Sequence, residues 1–352
     1  MSLPFVKTAF AGMLLALPLH AAPIELGKQF FEKDWAAACD NILSCEAVSL
    51  MPEGDGERAP TIMIARENGA EGAIAAKISL VEPKGDRYRI LIDGRLVDSG
   101  TLVKGEWAIS LAGSNALKLA RAIGRGRKIV ILGGDNAKLG ELALNGSTAA
   151  LLHIDAVQAR KGTRTALVST GRKALRTKLA PLPVIVAQRI GMQAAIPDAA
   201  AMVGLIESSG CTAARSSVTE DTVYSLGKHA DGFRALAIIS CGTGAYNMSS
   251  VPFIGRSADG KKWSFEPASF DNPAMPKLEG SSGVYLINYS WDTETQQLNS
   301  YNKGRGLGDC GNAETYVWDG ATFRLVQAYA MSECRGSTEW LTIWRAKVEY
   351  TG

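Results

Sequence analysis

Histidine is scarce in this chain: three occur in 352 residues, and only His153 and His229 lie beyond residue 22. There is no C-x-x-C and no H-E-x-x-H spacing, so the ligand sets that hold zinc are missing and no metal or cofactor is expected. A G-x-S-x-G elbow is also missing, which removes the usual sequence signature of a serine hydrolase. Long apolar runs are lacking too. Beyond a short N-terminal stretch, nothing approaches the roughly 20 residues a transmembrane helix needs. Hydrophobic residues at 46% and charged residues at 21% are ordinary for a globular chain and exclude disorder, collagen and coiled coil as the main architecture.

What is present begins with a leader. Lys7 precedes an apolar stretch from Thr8 to Leu19, and the small residues Ala21 and Ala22 follow. That is the layout of a secretory signal peptide, expected to occupy residues 1–22 and to be cleaved after Ala21 or Ala22. The mature protein is expected to be soluble and periplasmic or secreted. Six cysteines remain: Cys39, Cys45, Cys211, Cys241, Cys310 and Cys334. Outside the cytosol such cysteines form stable disulfides. Their spacing predicts three local bridges, Cys39 with Cys45, Cys211 with Cys241, and Cys310 with Cys334.

Aromatic residues divide the chain. Phe30, Phe31, Trp35, Tyr88 and Trp107 are the only ones from Pro23 to Gly204, whereas five Trp, eight Tyr and five Phe follow Leu205. Two domains with different cores are expected, over residues 23–170 and 205–352, joined by a basic, proline-containing linker at 171–204. The fold class is β-rich α+β. In the first domain, a β-sandwich-like unit, short alternating segments predict strands over 61–65, 74–81, 88–92, 96–103 and 107–111, with Asp93-Gly94 as a hairpin turn. Two helices are predicted, one from near Ser114 with Leu117, Ala120 and Ile123 inward, the other from near Ser147 with Leu151, Ile154 and Val157 inward. In the second domain Asp231-Gly232, Asp259-Gly260 and Asp319-Gly320 punctuate an antiparallel β barrel or sandwich. Its tryptophans, Trp263, Trp291, Trp318, Trp340 and Trp344, are expected to be core or platform residues, with Trp318 also a candidate binding residue.

No residue is assigned a catalytic role. His153 and Asp155 stand two apart on a helix and so do not share a face. His229 sits beside the Asp231-Gly232 turn, and with no G-x-S-x-G elbow no triad is read around it; the adjacent Glu220 and Asp221 read as a solvated turn. Gly304-Arg305-Gly306-Leu307-Gly308 has the look of a phosphate loop, but no helix follows to present its N-terminus. It reads as a tight turn locked by Cys310, with Arg305 and Asp309 as an ion pair or as ligand contacts.

Several segments together carry a family resemblance: Trp35-x-x-x-Cys39-Asp40-Asn41, Cys241-Gly242-x-Gly244-Ala245-Tyr246-Asn247, Lys303-Gly304-Arg305-Gly306-Leu307-Gly308-Asp309-Cys310-Gly311 and Cys334-Arg335-Gly336. With the cysteine count they resemble the bacterial family called domain of unknown function 1176, whose members are exported proteins with six characteristic cysteines. The resemblance spans nearly the whole mature chain and implies export and disulfides but no activity. Through its paired early cysteines and strand–helix order, the first domain also resembles the invasion-associated locus B family. Ser282-Gly283-Val284-Tyr285 is similar to an element of lysozyme inhibitors.

Charge supplies the clearest functional hint. From Lys118 to Arg189 fourteen Lys and Arg face three Asp and Glu, a balance of +11, which leaves −8 for the rest. Such a segment attracts anionic partners: glycolipid, phospholipid headgroups, polysaccharide or an acidic protein face. Nucleic acid is not expected, because the segment has no aromatic residue for base stacking. The candidate binding residues are Arg172, Lys173, Arg176, Lys178, Tyr246, Asn247, Arg305, Asp309 and Trp318. A non-enzymatic binding module of the envelope is the leading function. An enzyme acting on cell-wall or surface glycan and a lysozyme-inhibitor-like module are the alternatives.

Overall fold

A computed structural model describes residues 23–52, 60–83, 85–103, 105–176, 179–191, 195–211, 220–277 and 283–351. Residues 1–22, where a leader is expected, and Lys178 and Ser282 lie outside the described residues. In chain order the first domain has β1 (Gln29–Glu32), β2 (Trp35–Cys39), β3 (Cys45–Ser49), β4 (Thr61–Arg66), β5 (Ile74–Ser79), β6 (Arg87–Ile92), β7 (Arg95–Thr101) and β8 (Ala108–Ala112). Then come α1 (Gly113–Ile123), β9 (Lys128–Gly133), β10 (Lys138–Ala143) and α2 (Ser147–Val157). β11 (Val184–Gln188) and α3 (Ala199–Ser208) lead to the second domain. That domain contains β12 (Thr222–His229), β13 (Gly232–Thr243), β14 (Met248–Ser257), β15 (Ser264–Pro267), β16 (Leu286–Ile287) and β17 (Ser290–Asp292). It ends with β18 (Gln297–Lys303), β19 (Gly311–Trp318), β20 (Phe323–Met331), β21 (Leu341–Arg345) and β22 (Lys347–Thr351).

The fold is β-rich with few helices, in two domains. In the first, a six-stranded sheet ordered β1-β2-β3-β4-β5-β8 and a four-stranded sheet ordered β10-β9-β6-β7 enclose one core with α1 and α2. Period-two alternation supplies it: Ile62 and Ile64 of β4, Ile74, Ala76 and Ile78 of β5, and Ile129 and Ile131 of β9 point inward. The Asp93-Gly94 turn has positive φ at both residues, 49° and 79°, as the tight hairpin between β6 and β7 requires. In α1 the buried stripe is Ala116, Leu119, Ala120 and Ile123, with the expected Leu117 at its margin.

The second domain is a sandwich of two separate antiparallel sheets, β12-β13-β14-β15 with β16 paired to β14, and β17-β18-β19-β20-β21. All three Asp-Gly turns of this domain lie between paired strands. Leu236, Ile238 and Ile254 from one sheet meet Leu298, Tyr316, Trp318 and Leu325 from the other. The opposite face of β13, with Ala237 and Ile239, packs on Met202 and Leu205 of α3.

The two cores are distinct but meet across one shared strand. β2 reads Trp-Ala-Ala-Ala-Cys and is buried throughout. Trp35, Ala37 and Cys39 belong to the first core, while Ala36 and Ala38 join Val48 and Leu50 in the second. A strand covered on both faces loses polar alternation, and alanine lets the strand that covers it, β21, come close. The connector is also more ordered than a bare linker. Within it β11 pairs in parallel with the last strand, β22, from Val184↔Lys347 to Gln188↔Thr351. The unanticipated α3 starts behind Asp198, whose side chain accepts from the Ala201 N–H at 2.9 Å.

The three bridges pair as the spacing predicts, with Cα–Cα distances of 4.0 Å for Cys39–Cys45, 4.6 Å for Cys211–Cys241 and 4.7 Å for Cys310–Cys334. Cys39 and Cys45 are direct partners across β2 and β3. Among the described residues no helix is long and apolar enough to cross a membrane.

Candidate functional site

The basic segment folds into a helix and a braced loop. Lys118 and Arg125 are exposed on and just past α1, and Arg121 reaches the following loop, donating to Arg164 O at 2.7 Å and to Ala166 O at 3.1 and 3.2 Å. Asp155 braces that loop from beneath, accepting from the N–H groups of Leu167, Val168 and Ser169 at 2.8, 2.9 and 3.1 Å. Arg160 does so from the side, donating to Gly69 O at 2.6 Å, Gln158 Oε1 at 2.7 Å and Thr165 Oγ1 at 2.9 Å. It is fully buried. Burial, with the Arg66 charge adding to it, brings its pKa down to about 10, so it remains a cation but is withdrawn from the surface.

The charge that reaches solvent is therefore smaller than the count in the sequence. Lys128 and Lys138 pair with Glu141 at 3.0 and 3.4 Å, and Arg189 lies 4.6 Å over the Tyr350 ring. Lys118, Arg125, Arg127, Lys161, Arg164, Arg172, Lys173 and Arg176 remain, all exposed and without an ion pair among the described residues. A shallow groove of about 500 Å³ runs along α1 between Leu117, Lys118, Arg121 and Arg125.

The glycine-rich turn gathers Tyr246, Asn247, Arg305 and Asp309. Tyr246 donates its hydroxyl to Gly304 O at 3.0 Å. Asn247 donates to Lys303 O at 2.9 Å and accepts from Lys303 N–H at 3.2 Å, which zips the β13–β14 turn to the β18–β19 turn. Arg305 grips Asp309 with two bonds of 2.7 and 2.5 Å, and Asp309 also accepts from Gly336 N–H at 2.7 Å. These bonds, Arg305 foremost, hold the Asp309 carboxyl below its usual range against burial. A Cβ at Gly304 would stand 2.6 Å from Cys310 Sγ, so the turn closes directly on its disulfide. The polar atoms of the four candidates are thus engaged in holding the turn, and Leu307 projects from it, 70% exposed. Trp318 is not brought to this cluster. The Asp319-Gly320 hairpin turns its ring into the sandwich core, 5.1 Å from Phe323, where no ligand reaches it.

The other residues of the shared motifs meet at the seam between the domains. Arg335 donates to Asp34 Oδ1 at 2.5 Å, Lys33 O at 2.6 Å and Met51 O at 2.8 Å. Asn41 exchanges two hydrogen bonds with the Arg345 backbone, at 3.0 and 2.9 Å, while Asp40 forms an ion pair with the Arg345 side chain. Glu46 accepts from Thr342 N–H at 2.7 Å. Burial raises the pKa of both Asp40 and Glu46, against the pull of these partners. None of these contacts was anticipated; the available signal was polar residues placed directly beside disulfide cysteines.

His153 stacks on Phe30 at 4.6 Å, and burial, helped by Lys161, lowers its pKa. Asp155 faces the opposite way into the core. His229 has its Nε2 3.2 Å from Leu226 O, with a pKa lowered chiefly by burial. Among the described residues no group of three His, Cys, Asp or Glu side chains is placed to hold a metal.

A two-domain β protein with one disulfide in the first domain, two towards its C-terminal end and a polar seam through its most specific motifs defines the class. Residues 29–347 match the family described as protein of unknown function (DUF1176), and the chain belongs to that family. It is similar to the uncharacterized protein YpfG of Escherichia coli (strain K12), 28% identical over 340 residues that cover 88% of this chain and 91% of that one. No solved structure matches.

Proposed function

We propose that this is an exported, non-enzymatic envelope protein that binds an anionic envelope component through the basic face built on α1 and the loop at 160–176. The observation that carries this reading is the set of eight exposed Lys and Arg without ion pairs among the described residues, held on and just past a helix and on a loop whose backbone is fixed from below. A fixed loop presents its charges without an ordering cost at the moment of binding. Phosphate or carboxylate groups repeated along a glycolipid layer or polysaccharide are the matching ligand chemistry. The leader pattern of residues 1–22 and the three disulfides support a periplasmic or secreted location.

The test is cosedimentation with vesicles containing anionic phospholipid or phosphorylated glycolipid. Binding at low salt is expected to collapse near 1 M salt, where the Debye length is about 3 Å. Replacing Lys161, Arg164, Arg172 and Lys173 by Gln should weaken binding while leaving the thermal transition in place. Salt-insensitive binding, or unaltered binding by the quadruple variant, refutes the reading.

A further inference from the structure

The four-stranded sheet of the first domain carries a cavity lined by hydrogen-bond donors on its outer face. Tyr88 and Ile90 of β6 are buried in the core, so Arg87 and Arg89, which alternate with them, point outward. The antiparallel register sets Thr101 of β7 directly opposite Arg87, and Ser99 opposite Arg89. Directly opposed residues share a face. Two guanidinium groups and two hydroxyls therefore rise from the corners of a rectangle that is about 7 Å long along the strands and about 5 Å wide across them. With Gly134 and Asn136 of the β9–β10 turn they line an open cavity of about 590 Å³.

Arg89 is half-buried and donates to Asn136 Oδ1, which fixes its guanidinium at the edge of the cavity. A Cβ at Gly134 would stand 3.3 Å from Arg87 Cβ, so glycine lets the turn close on Arg87. Among the described residues neither arginine has an ion pair, and the hydroxyls of Ser99 and Thr101 have no hydrogen bond. No carboxylate among the described residues lines the cavity. Asp98 accepts from the Tyr88 hydroxyl at 3.0 Å, and Asp135 accepts from the Ala137 N–H at 2.9 Å. Glu141, on the same face of the sheet, is shared by Lys128 and Lys138.

We propose that this cavity binds a tetrahedral oxoanion group, phosphate or sulfate. Such a group spreads its oxygens in three dimensions, so the forks of Arg87 and Arg89 reach it from one strand and the hydroxyls of Ser99 and Thr101 from the other. A carboxylate holds two oxygens in one plane. A single fork satisfies it, and the second arginine and the hydroxyls would stay idle. The bond from Arg89 to Asn136 lowers the ordering cost of binding. The site shares no residue with the basic face on α1 and the loop at 160–176, and it stands whether or not that face binds anionic surfaces.

Titration calorimetry on the full mature protein at low salt tests it, with sulfate, inorganic phosphate and glycerol phosphate as ligands and acetate and glycerol as controls. At least one of the three oxoanions is expected to bind at least about tenfold more tightly than acetate, a gap one further charge-assisted hydrogen bond supplies. Binding of a free ion identifies a small solute as the source. Binding of glycerol phosphate alone identifies a phosphate carried by a larger molecule. Arg87→Gln and Arg89→Gln should each weaken the binding at least about tenfold and leave the thermal transition in place, because both side chains face outward. The quadruple variant of the basic face should bind like the parent. No binding of any of the three, equal binding of acetate, full binding in either arginine variant, or loss of binding in the quadruple variant overturns the proposal.

Discussion

Glu314 shows how one buried side chain links stability to pH. It sits on β19 between β18 and β20 with Asn312 Nδ2 donating to it at 2.6 Å. Burial raises its pKa from 4.5 to about 7, against that hydrogen bond. Below pH 4.5 the folded and unfolded chains both hold the proton. Between 4.5 and about 7 the unfolded chain has lost it and the folded chain has not, so unfolding releases a proton and stability falls as pH rises. The fall reaches about 3 kcal/mol across the window. Glu314→Gln keeps an acceptor for Asn312 and removes the titration. Its thermal transition should change less than the parent's between pH 5 and pH 8, with the variant the more stable at pH 8. Equal pH dependence in the two proteins would show that Glu314 ionises without penalty.

Elements differ in how legible they were. Strands such as β4, β5 and β8 were readable because buried residues alternate with less buried ones, and hairpins because the glycine of each Asp-Gly turn takes positive φ. At Gly304 to Cys310 the glycine turn beside a cysteine was legible, whereas the choice between an ion pair and ligand contacts for Arg305 and Asp309 was not, because both roles call for the same residue types. The helix α3 falls within the stretch expected to be a basic linker, because an alanine-rich, nearly all-apolar segment behind an Asp cap carries little amphipathic periodicity. β11 was missed because its partner, β22, lies at the far end of the chain, and no local pattern specifies a parallel pairing over that separation. Of the candidate site, the charge count was legible, but the loss of Arg160 to the core and of Lys128 and Lys138 to Glu141 depended on tertiary placement. The double-sided burial of β2 was legible in part, as an apolar run without alternation. It leads to a prediction. Ala36→Leu inserts three heavy atoms where β2 packs between the two cores, and overpacking of that kind costs about 1 to 3 kcal/mol. Denaturant unfolding should show that loss, whereas Ala75→Leu on the exposed face of β5 should change stability far less.

At the scale of the molecule, the domains are joined twice, once by the connector and once by the seam. The connector offers trypsin Arg172, Lys173 and Arg176, all exposed. The seam consists of side chains and backbone independent of it: Arg335 on Asp34 and Met51, Asn41 on Arg345, Glu46 on Thr342, and Lys77 on Glu339 at 2.6 Å, over the apolar contact of Ala36, Ala38 and Val48. Cleavage between residues 171 and 178 therefore breaks one join and leaves the other. We expect limited digestion to give two fragments that elute together as one particle under native conditions. The first fragment would carry Cys39–Cys45 and the second both other bridges, so no disulfide spans the cut. The fragments should separate in denaturant without any reductant. Arg335→Ala then distinguishes seam from connector. It removes a guanidinium that is mostly buried and makes three bonds across the domains, leaving Asp34 without its cation and with a 3.4 Å bond from Asn145, a loss on the order of 3 kcal/mol. Nicked protein carrying this substitution should come apart in less denaturant than nicked parent. Fragments that part under native conditions after the first cut would mean that the connector, not the seam, holds the domains together.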